Sequence, residues 1–157
     1  MLHPYGALHF EHTDKVRLTL SSVPGAFSAT LRLPAVGQVP VLVIDDNVDT
    51  LRLLQRYALG TPFSLITTRD PEQALALAEA HTPSLVVLDV MMPQVDGWEV
   101  LARLRQHPRT SQVPVIICSI LPQEGLAQSL GASAYLQKPV TRQAFISTLS
   151  RQIAPTG

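Results

Sequence analysis

From Val41 onward the sequence alternates short, continuous apolar runs with amphipathic stretches, and this confines the chain to few architectures. The runs are VLVI (41–44), FSLIT (63–67), SLVVL (84–88), VPVIIC (113–118) and SAYLQ (133–137). Runs that do not alternate with polar residues are expected where parallel strands are covered on both faces. Between them, apolar residues recur three and four apart, which is the spacing of one helix face. This predicts helices over about 49–59 (Leu51, Leu54, Ala58), 71–81 (Ala74, Leu77, Ala78), 97–107 (Val100, Leu101, Leu104), 123–130 and 141–152 (Phe145, Leu149). Pro71 suits a first helical turn, Thr141 suits a cap, and Gly60 and Gly131 stand where helices should stop. The pattern is (βα)₅, an α/β chain with a doubly wound five-stranded parallel sheet.

Before residue 38 the periodicity is different. VRLTLS and FSATLRLP alternate apolar and polar positions, as half-buried strands do. Ser22-Val23-Pro24-Gly25 supplies a turn between them. Residues 1–35 therefore read as a β-hairpin extension, 36–40 as a linker and 41–154 as the main domain. A lone hairpin is marginally stable in water, so it must pack on something or be the remnant of a larger domain.

Composition narrows the function classes. The 157 residues carry no net charge at pH 7 and no Lys/Arg cluster, which argues against direct nucleic-acid contact. No apolar stretch is long enough to span a membrane, and the opening MLHPYGALHF lacks the pattern of a signal peptide. The single cysteine, Cys118, lies within an apolar run and reads as a small buried hydrophobe. One cysteine permits no intrachain disulfide and fits a reducing, cytoplasmic setting. The histidines at 3, 9, 12, 81 and 107 show no metal-ligand spacing and none follows a predicted strand.

The polar residues that follow the apolar runs carry the chemistry. Asp45 and Asp46 follow the first run, Asp89 the third, Ser119 the fourth and Lys138 the fifth. In open α/β sheets the ligand crevice lies beyond the carboxyl ends of the strands, where strand order reverses. Three carboxylates meeting there repel one another unless a cation joins them, and a hard oxygen cluster suits Mg²⁺. An Asp carboxylate can act as a nucleophile at phosphorus. Phosphoryl transfer then depends on positioning and charge more than on a strong base. Asp89 is the predicted acceptor, with Lys138 as the cationic partner and the Ser119 hydroxyl as a contact for a phosphoryl oxygen. Taken singly, each residue could be a solvated loop residue or a helix cap; Asp49 reads simply as a first-turn acid.

These residues resemble the signature of the bacterial response-regulator receiver domain, from about Pro40 to Ala154. VLVIDDN (41–47) is similar to its first strand and acidic pair. SLVVLDVMMPQVDGWEV (84–100) resembles its phosphoacceptor strand and following loop, including Pro93 and Gly97. PVIICS (114–119) and GASAYLQKPV (131–140) resemble the segments bearing its Ser/Thr switch, its aromatic switch at Tyr135 and its Lys-Pro. The resemblance implies a flavodoxin-like fold with strand order 2-1-3-4-5, the order the chemotaxis receiver exemplifies. It also implies phosphorylation of Asp89 by a histidine kinase or histidine phosphotransfer protein. Asp46, Asp89 and the Met91 carbonyl would be direct Mg²⁺ ligands, with Asp45 acting through water. Ser119 and Lys138 would contact phosphoryl oxygens, and the Lys138-Pro139 bond would be cis. Phosphorylation would draw Ser119 inward, swing Tyr135 and alter the surface of the fourth helix, fifth strand and fifth helix. The chain departs from the family's usual small residue after the switch position, where it has Ile120 beside the pocket; Met91 and Met92 are also expected to give the pocket rim an apolar cast.

VRLTLSSVPGAFSATLRLP weakly resembles the closing strands of a histidine-kinase ATPase domain, without nucleotide-binding boxes. The chain thus reads as part of a hybrid kinase or as a receiver with an N-terminal extension, and no kinase activity is expected of it. With no effector after the fifth helix, output is expected through another protein, a homodimer or domains outside this sequence. Two other functions compete: a non-phosphorylated interaction module, and an Mg²⁺-dependent aspartate phosphohydrolase. The latter wants a second acid two residues beyond the nucleophile, where this chain has Met91.

Overall fold

The computed structural model describes residues 8–11, 17–32 and 37–153. It divides into two compact units, 1–37 and 38–157. In the first unit, β1 (Leu8–Glu11), β2 (Arg17–Val23) and β3 (Ala26–Arg32) form an antiparallel sheet in that order. β2 and β3 are the two strands expected from alternation, and Val23 pairs with Ala26 across Pro24-Gly25. Proline presets φ at the first turn position, and Gly25 takes φ +83° at the second. The third strand, β1, was not expected: its four residues are too short to display a period.

The second unit contains β4 (Val39–Ile44), α1 (Val48–Ala58), β5 (Phe63–Thr68), a 3₁₀ turn (Pro71–Gln73), α2 (Ala74–His81) and β6 (Leu85–Leu88). A small hairpin of β7 (Met91–Met92) and β8 (Val95–Asp96) follows, then α3 (Gly97–Gln106), β9 (Val115–Ser119), α4 (Glu124–Ser129), β10 (Ala134–Gln137) and α5 (Arg142–Ile153). The five long strands run parallel in the order β10-β9-β6-β4-β5, the expected 2-1-3-4-5 arrangement. The predicted linker at 36–40 is corrected at its end. Val39 and Pro40 already pair with Phe63 and Ser64, since proline is tolerated at the start of a strand.

Successive side chains of a strand point to opposite faces, so each continuous run serves two cores. Leu42, Ile44, Val86, Leu88, Val115 and Ile117 join Ala74 and Ala78 of α2 and Val100, Leu101 and Leu104 of α3. Val41, Val43, Leu85, Val87, Ile116 and Cys118 join Leu51, Leu54 and Ala58 of α1 and Phe145 and Leu149 of α5. Local chemistry sets the helix ends. Asn47 caps α1 by accepting from the Asp49 and Thr50 amides, and the Thr141 hydroxyl accepts from the Ala144 amide at the start of α5. Asp70 caps the 3₁₀ turn that replaces the predicted first turn of the second helix. Among the described residues no helix is long and apolar enough to cross a membrane.

Candidate functional site

Ile44 and Leu88 are paired at the ends of β4 and β6. The next residues, Asp45 and Asp89, therefore emerge side by side at the carboxyl edge, and the Asp89 amide binds the Ile44 carbonyl at 2.9 Å. Both are nearly inaccessible, with 2% and 5% of their surface exposed. Buried carboxylates require partners. Lys138, just past β10, donates from Nζ to Asp45 Oδ2 at 2.7 Å and to Asp89 Oδ2 at 2.8 Å. The other oxygens accept backbone amides: Asn47 to Asp45 Oδ1 and Met91 to Asp89 Oδ1, each at 2.8 Å. Asp46 is half-buried, and one of its carboxylate oxygens completes a set with Asp45 and Asp89 in which all three lie within 4.8 Å of one another.

Electrostatics follow from this crowding. Burial raises the Asp45 carboxyl above its ordinary range, and the hydrogen bonds from Lys138 and Asn47 only partly offset it. Burial alone would lower Lys138, but its hydrogen bonds to Asp45 and Asp89 and their charges outweigh that, and its affinity for a proton is raised. Lys138 thus stays charged against a surplus of carboxylates. Burial pushes the Cys118 thiol up to about 12, so it remains protonated and behaves as the small hydrophobe expected from sequence.

The remaining predicted residues divide into those beside the pocket and those away from it. Ser119 is wholly buried; its carbonyl accepts the Lys138 amide at 2.9 Å and its hydroxyl accepts the Leu121 amide at 3.4 Å. Lys138-Pro139 is cis. Ile120 is 60% exposed. Of the two methionines expected at the rim, Met91 is 46% exposed, whereas Met92 is corrected: it is buried in the core cluster that includes α3. The β7–β8 hairpin reverses the direction of alternate residues here, and a continuous sequence could not show which methionine faces solvent. Tyr135 lies inward, packed against the cluster of α2 and α3, with its buried hydroxyl lacking any hydrogen-bond partner. Two residues escaped the sequence reading. Asn47 was legible as a capping residue before the first helix. Arg69 follows β5 and donates from Nε to the Asp46 carbonyl at 3.0 Å; its only sequence signal is its position at a strand end.

With this arrangement in view, the family model for the response regulator receiver domain matches residues 41–150. The chain belongs to that family. Its receiver is 37% identical over 103 residues to the response regulator PleD of Caulobacter vibrioides, covering 64% of this chain and 23% of PleD. It is 30% identical over 112 residues to the polar-differentiation response regulator DivK of Brucella anthropi, covering 69% of this chain and 91% of DivK. A solved structure of the Mn²⁺-bound response regulator Rcp1 is similar with a TM-score of 0.59 and 26% identity, covering 71% of this chain and 89% of Rcp1. The chain spans under a quarter of PleD and nearly all of DivK. Receivers serve phosphorelay signalling and act with histidine kinases or phosphotransfer proteins.

Proposed function

We propose that this receiver accepts a phosphoryl group on Asp89 from a histidine kinase or histidine phosphotransfer protein, in a reaction that needs Mg²⁺. The observation that carries this reading is the Lys138 ammonium held between the buried Asp45 and Asp89 carboxylates, 2.7 and 2.8 Å away. The three hard carboxylates within 4.8 Å of one another suit a divalent cation, and the relative Rcp1 was solved with Mn²⁺. Asp45, Asp46, Asp89 and the Met91 carbonyl would hold it. Bound there, Mg²⁺ would lower the repulsion between Asp89 and an incoming phosphoryl dianion.

The protein's own groups do the rest. The Met91 amide and Lys138 fix the Asp89 carboxylate, so that a carboxylate oxygen forms the new bond to phosphorus as the bond from phosphorus to the donor's nitrogen breaks. The departing imidazole keeps that electron pair and is protonated by solvent. Lys138 then faces a phosphoryl oxygen, and the Ser119 hydroxyl turns from the Leu121 amide to donate to another. Space beside Ser119 lets the Tyr135 ring change position, and the surface of α4, β10 and α5 reports the state. A phosphohydrolase is disfavoured because the position two residues past Asp89 offers a backbone amide and a methionine rather than an acid.

Incubation with acetyl phosphate and Mg²⁺, followed by intact mass, tests this. A gain of one phosphoryl group that requires Mg²⁺ and is absent in Asp89→Asn is expected. Absence of any Mg²⁺-dependent adduct, with beryllofluoride also failing to bind, would leave an interaction module as the function.

A further inference from the structure

The carboxyl edge has five strand ends, and four carry the residues already described. The fifth, after β5, carries Arg69. Ile44 pairs with Thr68 at the end of the β4–β5 ladder, which brings Arg69 alongside Asp45 and Asp46. The Asp45 amide donates to the Thr68 carbonyl at 3.2 Å, and one residue on each side further, Arg69 Nε donates to the Asp46 carbonyl at 3.0 Å. The loop under Arg69 is braced. The Thr68 hydroxyl accepts the Asp70 amide at 3.1 Å and donates to the Asp70 carbonyl at 3.2 Å.

The three acidic residues are held unequally. Asp45 and Asp89 are each fixed at both carboxylate oxygens, by a backbone amide and by Lys138. Among the described residues, the Asp46 carboxylate has no hydrogen-bond partner; what grips Asp46 is the Arg69 bond to its carbonyl. We infer that Arg69 is a positioning residue which, by holding the Asp46 peptide, aims the Asp46 carboxylate at a divalent cation shared with Asp45 and Asp89. This rests on the reading that those three residues hold such a cation.

Arg69 acts on the site in two opposed ways. Its charge repels a cation, while its grip reduces the disorder of a ligand. The side chain is exposed, so its field is weakened by water and screened over about 10 Å at 0.1 M salt. The hydrogen bond is short-ranged and indifferent to salt. Groups that orient metal ligands typically change affinity by 10–100-fold, and a bond to the peptide rather than to the carboxylate belongs at about the low end of that range. The grip therefore prevails.

Side-chain geometry separates the two effects. Glutamine places its amide nitrogen as many bonds from the backbone as arginine places Nε. Arg69→Gln thus keeps a donor and removes the charge, and Arg69→Met keeps the stem and removes both. Mg²⁺ would be titrated into the full chain by calorimetry at low and high salt, with urea curves to verify folding. Arg69→Met is expected to bind Mg²⁺ roughly tenfold more weakly, and Arg69→Gln to bind close to the parent, with the difference between the two variants persisting at high salt. Equal or tighter binding by both variants overturns the inference, because the donor of Arg69 would then contribute nothing to holding the cation. If Arg69→Met fails to fold, Arg69→Ala takes its place: binding roughly tenfold weaker than that of Arg69→Gln supports the grip, and binding equal to that of Arg69→Gln overturns it. A parent chain that binds no Mg²⁺ overturns the inference together with the reading beneath it. A parent that binds, with Arg69→Met unchanged, overturns the inference alone.

Discussion

At the scale of single residues, the buried ionic groups of the site satisfy one another. Asp45, Asp89 and Lys138 each have partners, whereas the Tyr135 hydroxyl is buried without one. An unpaired buried hydroxyl costs about 1–3 kcal/mol, which leaves the inward position of this ring poorly held and suits a side chain that changes position. Tyr135→Phe removes the orphaned hydroxyl and keeps the ring. It is expected to raise stability by about 1 kcal/mol, read from urea unfolding followed by the fluorescence of Trp98. A loss of stability of similar size would reveal a partner for the hydroxyl and remove the argument for a loosely held ring. The residue scale is also where sequence reasoning was strongest for chemistry. Asp45, Asp46, Asp89 and Lys138 were identified from their positions at strand ends, because strand ends follow directly from the apolar runs. Arg69 stands at such an end as well, but an exposed arginine is ordinary until its donor is seen against the Asp46 carbonyl.

At the scale of elements, helices and strands place these residues through contacts that tolerate little change. Gly97 opens α3 against the strand end that carries Asp89. A Cβ there would lie 2.3 Å from the Val90 Cα and 2.8 Å from the Asp89 carbonyl oxygen, both backbone atoms that cannot rotate away. Gly97→Ala is therefore expected to cost about 1–3 kcal/mol, as overpacking does, and to displace Asp89. Phosphorylation by acetyl phosphate should slow in that variant even at temperatures where urea curves show it folded; an unchanged rate would mean the strand end does not move. Arg105 performs a comparable task near the other end of α3, donating to the carbonyls of Gly131, Ser111 and Val113 at 2.8, 3.2 and 2.6 Å. The periodicity located α3 correctly. It could not show that a glycine at the first position and an arginine at the ninth meet backbone from other elements. The β7–β8 hairpin was equally hidden, since each strand has two residues and a period needs more.

At the scale of the whole molecule, the carboxyl edge concentrates charge that the fold must bear. The raised proton affinity of Lys138 means its stabilising contribution is fully present below its ordinary value of 10.5 and is lost as pH rises through the higher folded value. Asp45 is also raised, so its contribution is present below 3.8, where it is neutral, and lost as pH rises through its folded value. Ionising Asp45 in the cation-free domain therefore costs stability as pH rises. Mg²⁺ should raise the melting temperature at pH 7, and this gain should shrink as the solution is acidified and the carboxylates are protonated. In alkaline urea titrations without metal, the parent should lose stability above about pH 10.5 more steeply than Lys138→Met, which lacks the titrating ammonium. Parallel curves for the two proteins would show that the ion pairs with Asp45 and Asp89 contribute nothing net.

The sequence by itself determined the doubly wound sheet and the residues at its reactive edge. Continuous apolar runs can be buried only between two layers of helices, and whatever follows a run must then emerge at one edge. Tertiary structure alone decided which of these residues touch. Lys138 meets Asp45 and Asp89 across separations of 93 and 49 residues, and Arg69 reaches Asp46 across 23. It also decided that Met91 faces solvent while Met92 is buried, and that Tyr135 points inward. Such contacts depend on strand order, register and rotamer together, and no local pattern of residues encodes all three.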